Sequence, residues 1–411
     1  MGNTISPPDS KNEDYKHVMN GALRVVLVKF LQLSFSRLLS NGYHILFRFA
    51  LSSLSLSLME FHTLLSSTFF LLFLFTIAGK TVCANEEAQK VSGGYRPLKL
   101  FAFGDSYADT GNNPKSLSSS WKNPYGVTFP GKPAGRYSDG RVLTDYIARF
   151  MGIKSPLPYE LRKYGQHRLQ HGLNFAYGGT GVFDTGNLQP NLSTQIGYFE
   201  RVVKESVYTK RDLQSSLALV AVSGNDYAAF TASGGTDQGL PSFISHVINQ
   251  MGINLKRIRS LGVRRVLVTT LQPIGCLPRQ TAFSSYQQCN ETDNSAVIFH
   301  NQLLQKVVTS LNNSTKGSNF LILDLFNSFN AVLKNKGEFT GSAKFDTPLK
   351  PCCLATRSDA FCGTLDDKGR RLYTVCNKPE SMFFWDSVHP TEAGWRSVYL
   401  TLRSSLNRIY N

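Results

Sequence analysis

Leu98-Lys99-Leu100-Phe101-Ala102-Phe103-Gly104-Asp105-Ser106 is the stretch whose reading decides the fold. Its apolar part is too short for a helix and stops at turn-forming residues, which marks a buried strand. Similar β-branched or apolar runs stand at 217–222, 266–270 and 320–323. Between them, segments 141–151, 194–207, 244–261, 295–311 and 391–409 space their apolar residues with a helical period. Strands that are apolar throughout and alternate with helices predict an α/β fold with a central parallel sheet covered on both faces. Gly, Pro and Asn gather at 112–140 and 334–379, which are expected as long loops over that sheet. No repeat, low-complexity tract or domain boundary interrupts residues 85–411, so they read as one domain.

The 411 residues, 42% of them hydrophobic, suffice for a large core. The net charge is +16, yet the positive residues are dispersed, with no run of five or more Lys/Arg. Nucleic-acid surfaces cluster their cations within a module, so no nucleic-acid partner is expected.

Residues 64–78 (LLSSTFFLLFLFTIA) form an apolar core followed by Val82-Cys83-Ala84, a small-residue site fitting cleavage before Asn85. That is the layout of a secretory signal peptide, assigned to 59–84. Residues 1–58 are an upstream extension: a translated leader, a transit peptide or a second hydrophobic anchor. The first is favoured, with Met59 as the working start, because a transit peptide gains nothing from a complete signal peptide behind it. Residues 1–84 carry seven of the Lys/Arg and four of the Asp/Glu, so the basic character stays with the mature chain. No stable membrane span is expected after cleavage.

The cysteines agree with an oxidising, extracellular compartment. Cys83 leaves with the leader, and Cys276, Cys289, Cys352, Cys353, Cys362 and Cys376 form an even set suited to three disulfides. A zinc site is the rival, but adjacent Cys352-Cys353 lacks the gap that lets two thiolates reach one ion. Sequons at Asn191, Asn290, Asn312 and Asn313 fit a glycoprotein.

Ligands of parallel α/β sheets bind at the carboxyl ends of the strands, and Ser106 falls on that rim. A serine hydroxyl needs a base to take its proton and a carboxylate to fix the tautomer of that base. Asp386-Ser387-Val388-His389 supplies both at a spacing that lets the carboxylate reach Nδ1 and leaves Nε2 for Ser106. Among the other mature histidines, His246 and His300 lie in helical segments, and His167 and His171 lie in a basic stretch with no suitably phased acid. Asn225, in Gly224-Asn225-Asp226, and the loop Gly178-Gly179-Thr180-Gly181 offer donors for a developing oxyanion. Neither phosphate-loop pattern follows through at the glycines, and no G-x-S-x-G nucleophile elbow occurs.

With these residues in view, Phe103-Gly104-Asp105-Ser106-Tyr107-Ala108-Asp109-Thr110-Gly111-Asn112 resembles the first block of plant GDSL esterase/lipases, of the SGNH hydrolase superfamily. Asn174-Phe175-Ala176-Tyr177-Gly178-Gly179, Val222-Ser223-Gly224-Asn225-Asp226 and Asp386-Ser387-Val388-His389-Pro390 resemble its other blocks, in order. Pro273-Ile274-Gly275-Cys276-Leu277-Pro278 and Gly135-Arg136-Tyr137-Ser138-Asp139-Gly140-Arg141 are similar to plant-type signatures. The resemblance implies a flavodoxin-like αβα sandwich. It also implies Ser106 as nucleophile, His389 as base, Asp386 as orienting acid, and an oxyanion hole from the Ser106 and Gly179 amides and the Asn225 side chain. No cofactor or metal is implied. Tyr137 and Asp139 stand where Phe and Asn are commoner, which bears on a loop more than on chemistry.

The expectation is a secreted serine ester hydrolase acting on lipid, acetyl or phenolic esters, in the apoplast or cell wall. An acyltransferase using the same serine and a silent binding glycoprotein are the rivals. Tyr107, Trp121, Tyr125, Phe129 and Tyr177 fit either an apolar substrate pocket or simple packing. N-terminal sequencing of secreted protein should read from about Asn85; a first residue far upstream contradicts the leader assignment.

Overall fold

The computed structural model describes residues 96–315, 317, 319–338 and 344–410. The leader-like segment 59–84 and the extension before it lie outside the described residues. Among the described residues no helix is long and apolar enough to cross a membrane.

Strand β1 (Lys99–Gly104) is buried along its length apart from Lys99, whose ammonium pairs with Asp212 at 2.7 Å. The other strands of the sheet are β2 (Leu157–Pro158), β3 (Gly172–Asn174), β4 (Ser216–Ala221), β5 (Arg265–Thr269) and β6 (Phe320–Leu323). They lie in the order β2-β3-β1-β4-β5-β6, and every pairing is parallel. The alternation of side chains along β1 divides the core in two. Leu100 and Ala102 join Leu217, Leu219 and Leu267 on one face, and Phe101 and Phe103 join Ala218, Val220 and Val266 on the other.

Helices cover both faces, as a parallel sheet requires. On the Leu100 face lie α1 (Leu143–Phe150), α8 (Leu325–Lys334) and α9 (Glu392–Asn407), with Ile147, Phe329 and Trp395 among their buried residues. On the Phe101 face lie α2 (Leu192–Lys204), α5 (Leu240–Ser260) and much of α7 (Glu291–Ser314), contributing Phe199, Met251 and Leu304. The shorter α3 (Lys210–Gln214), α4 (Asn225–Ala232) and α6 (Pro278–Thr281) complete the helices used below. This is the expected αβα sandwich. Four helices the periodicity did not mark, α3, α4, α6 and α8, and the short strands β2 and β3 are additions to that expectation.

From β1 the chain moves to one side for β2 and β3, then returns to the other side for β4, β5 and β6. The direction therefore reverses at β1, and the loops leaving β1, β3 and β4 open side by side at the switch point where such sheets bind ligands. Gly104 makes this close approach possible. Its φ is +126°, and a Cβ there would stand 1.8 Å from the Ala221 carbonyl oxygen, the atom that accepts the Asp105 N–H at 3.0 Å.

All six cysteines among the described residues pair, as Cys276–Cys289, Cys352–Cys376 and Cys353–Cys362. The last two staple the 334–379 loop, where β7 (Cys353–Ala355) and β8 (Tyr373–Val375) form a two-stranded antiparallel sheet. Around them Tyr125, Tyr373, Met382 and Trp385 build a small satellite core. Three of the sequon asparagines do structural work. Asn191 and Asn290 cap α2 and α7, and the Asn312 amide donates to the Phe320 carbonyl at 2.8 Å; Asn313 is exposed.

Trp395 is fully buried, edge-on to Tyr107 at 5.0 Å and to Phe329 at 5.9 Å. Trp395→Ala should lower unfolding free energy by about 3–5 kcal/mol, read by urea denaturation; a loss under about 1 kcal/mol contradicts this packing.

Candidate active site

Ser106 sits in the turn after β1 and is 7% exposed. Its hydroxyl is 2.8 Å from His389 Nε2, and His389 Nδ1 is 2.8 Å from each carboxylate oxygen of Asp386. The three-residue spacing works because Asp386 Oδ1 also accepts the Val388 and His389 N–H groups, both at 2.9 Å, which curls the segment back on itself. Asp386 Oδ2 accepts the Tyr125 hydroxyl at 2.7 Å. Burial alone would raise the Asp386 pKa, but His389 and these donors outweigh it and hold the carboxyl below its usual range. A hydroxyl, an imidazole and a carboxylate in this line can carry a proton off the serine and stabilise the resulting imidazolium.

The backbone around His389 is held as well. Its carbonyl accepts the Trp385 N–H at 2.7 Å, and Asp139 Oδ1 accepts the Glu392 N–H at 2.7 Å where α9 begins. Arg141 pairs with the Glu392 carboxylate at 2.7 Å. Asp139 thus anchors a loop, as expected. Tyr137 corrects the expectation: its ring stacks on His389 with centroids 5.1 Å apart, and its hydroxyl accepts from Asn113 Nδ2 at 2.6 Å. Its place inside the Gly135–Arg141 signature was the signal available.

Asp105 is fully buried beneath the serine. It accepts the Tyr107 N–H at 3.0 Å, the Ser223 N–H and hydroxyl at 2.5 and 2.6 Å, and Asn225 Nδ2 at 3.1 Å. Desolvation pushes its pKa up to about 6 although the Ser223 and Tyr107 hydrogen bonds pull the other way. Asp109 behaves alike: it accepts the Gly111, Asn112 and Gly178 N–H groups, and burial lifts it to about 6.

The Ser106 and Gly179 loops and Asn225 meet in one cavity of about 310 Å³ with His389. The Ser106 and Gly179 N–H groups have no protein acceptor among the described residues. Gly179 takes φ +87°, a left-handed conformation suited to glycine. The Asn225 amide nitrogen is already bonded to the Thr180 carbonyl at 2.9 Å as well as to Asp105. The structure brings all five expected residues together.

The remaining histidines stand apart from this cavity. His300 is buried in α7, its Nδ1 is 2.6 Å from the Tyr227 hydroxyl, and desolvation pushes its pKa down to about 3. His246 lies in α5, and His167 and His171 lie in a 3₁₀ stretch. Of the five aromatics considered above, Tyr107 alone lines the cavity. Tyr125 holds Asp386, Trp121 donates to the Asn113 carbonyl at 2.8 Å, and Tyr177 bonds Glu160.

The family model for GDSL-like lipase/acylhydrolases matches residues 100–399. This chain belongs to that family. Two GDSL esterase/lipases of Arabidopsis thaliana are 56% and 53% identical to it, over 76% and 77% of this chain and 88% and 90% of theirs. Acetylajmalan esterase 2 of Rauvolfia serpentina is 29% identical, over 73% of this chain and 87% of its own. The chain is accordingly a carboxylic ester hydrolase of the GDSL type.

The buried carboxyls give this family member a defined stability profile. Asp105 and Asp109 hold their protons to about pH 6 when folded, whereas unfolded they release them near 3.8. Their contribution is therefore full below about pH 4 and falls as pH rises to about 6, by up to about 3 kcal/mol each. Asp145 and Asp386, held below their usual values, oppose this only as pH falls under 3.8, but buried His300, kept neutral down to about pH 3, opposes it between about pH 3 and its unfolded value of 6.5. Urea unfolding at pH 4, 5 and 6 should show stability decreasing with pH, and more steeply in His300→Gln, which removes the opposing imidazole; a rise in that variant contradicts the account.

Proposed function

We propose that the chain is a secreted serine esterase working through an acyl-enzyme on Ser106. The observation that carries this is the unbroken line from the Ser106 hydroxyl through His389 to Asp386, with both steps at 2.8 Å. His389 takes the serine proton as the hydroxyl attacks the ester carbonyl, and Asp386 holds the imidazole with Nε2 facing Ser106. The Ser106 and Gly179 N–H groups receive the oxyanion. Asn225 keeps its bond to Thr180 and turns its second hydrogen from Asp105 to the same oxygen, giving up the longer of its two contacts. His389 then protonates the departing alcohol, and water repeats the sequence on the acyl-enzyme.

Secretion is supported by the leader-like segment and by the use of six cysteines in disulfides. On this reading residues 85–411 are the single mature domain.

Ser106→Ala should abolish hydrolysis of p-nitrophenyl acetate and labelling by a fluorophosphonate probe while the protein stays folded. Asn225→Ala should cost on the order of 10²–10³ in kcat. Undiminished turnover in Ser106→Ala overturns the nucleophile assignment.

A further inference from the structure

Beside the catalytic cavity lies a second one, of about 390 Å³, that the mechanism leaves unused. The same chain segments wall both. The turn from β4 into α4 gives Gly224 and Asn225 to the first and Tyr227 and Ala228 to the second, while segment 271–280 gives Gln272 and Leu277 to the first and Leu271 and Ile274 to the second. Arg279 lines both and stands at their junction.

The two cavities differ in chemistry. The catalytic one is walled largely by polar groups such as Asn113, Ser223 and Gln272. The second has an apolar floor of Ile244, Leu271 and Val297, each at most 3% exposed, and a solvent-facing rim at Ala228 and Thr231. It is an open trough. Its charged lining residues are Arg279 and Asp293, one Asp293 oxygen being buried without a hydrogen-bond partner. An arginine in such a place packs its methylene stem on apolar surface and keeps its head toward the polar side.

We propose that this trough receives the acyl chain of the substrate, making medium-chain fatty acyl esters a substrate class of this enzyme; the inference rests on the serine mechanism proposed above. The side on which the trough lies selects the acyl part. The leaving alcohol must lie beside His389, which protonates it, yet no residue of 386–389 lines the trough. The trough instead lies behind the turn that presents Gly224 and Asn225, on the oxyanion side of the serine, with Arg279 shared between the two cavities, which leaves it to the acyl part. Each methylene moved from water onto an apolar lining is worth about fourfold in affinity, so a tail lying there is read as chain-length preference.

The test compares kcat/KM for p-nitrophenyl octanoate and p-nitrophenyl acetate in the full chain and in two variants that fill the trough, Ala296→Phe from α7 and Ala228→Phe from α4. Ala228 is exposed, so its replacement does not strain the core, and the ratio of the two substrates is internal to each variant. The wild-type enzyme should hydrolyse the octanoate, and the octanoate-to-acetate ratio should fall at least tenfold in both variants. Sodium octanoate should inhibit acetate hydrolysis competitively in the wild type and lose that effect in both. A ratio within twofold of wild type, or a wild type that hydrolyses the acetate and not the octanoate, overturns the proposal. Failure of the underlying mechanism looks different: Ser106→Ala would then hydrolyse both esters at the wild-type rate.

Discussion

The arrangement hangs on one buried carboxylate. Among the described residues Asp105 forms no ion pair, so its desolvation is offset mainly by donors, with a smaller attraction from His389, and those donors come from the turn after β1 and the turn after β4. Holding them draws together the loops that carry Ser106 and Asn225. Gly104, unable to be any other residue without striking Ala221, lets the two loops come close enough for one carboxylate to serve both. The cost of burying Asp105 is thus converted into the position of the proposed nucleophile relative to its oxyanion donors.

The other half of the site is held from outside the sheet. Asp386 and His389 lie in an irregular segment, which could not keep an imidazole aligned by itself. Tyr125 bonds Asp386 from the satellite core that the disulfides staple, Tyr137 stacks on the imidazole, and Asp139 and Arg141 grip the start of α9 immediately beyond. The 112–140 loop is therefore a brace for the histidine, and the signature Gly135–Arg141 is where it bears.

Much of this was legible in the chain. The strand at 320–323 lies where its apolar run placed it, and β1, β4 and β5 differ from expectation by one residue at each end, because continuous burial on both faces leaves a clear sequence trace. β3 escaped notice because it spans three residues, one a glycine whose missing side chain lets Leu100 approach. β2 is two residues long and ends in proline. Helix α4 lacks an apolar stripe because it is mostly half-exposed, whereas α8, with Leu325, Phe329 and Val332 on one face, did carry a readable pattern. At the site, residue types and spacing pointed to Ser106, Asn225, Asp386, His389 and the 178–181 glycine loop, the family resemblance singled out Gly179 within it, and the fold brings them together. The stacking of Tyr137 on His389 and the dual use of the Asn225 amide were hidden, because both depend on contacts between segments far apart in sequence.

Ser106 and His389 are 283 positions apart, one in the first strand of the sheet and the other just before the last helix. A ribosome adding about 5–20 residues per second needs roughly 15 to 60 seconds to travel between them. Throughout that interval the emerging serine lacks the imidazole that the proposed mechanism requires, so on that mechanism the growing polypeptide carries no esterase activity. Competence arrives only when α9 docks. On the proposed mechanism a chain that terminates early is inert, and completion of synthesis serves as an activation step.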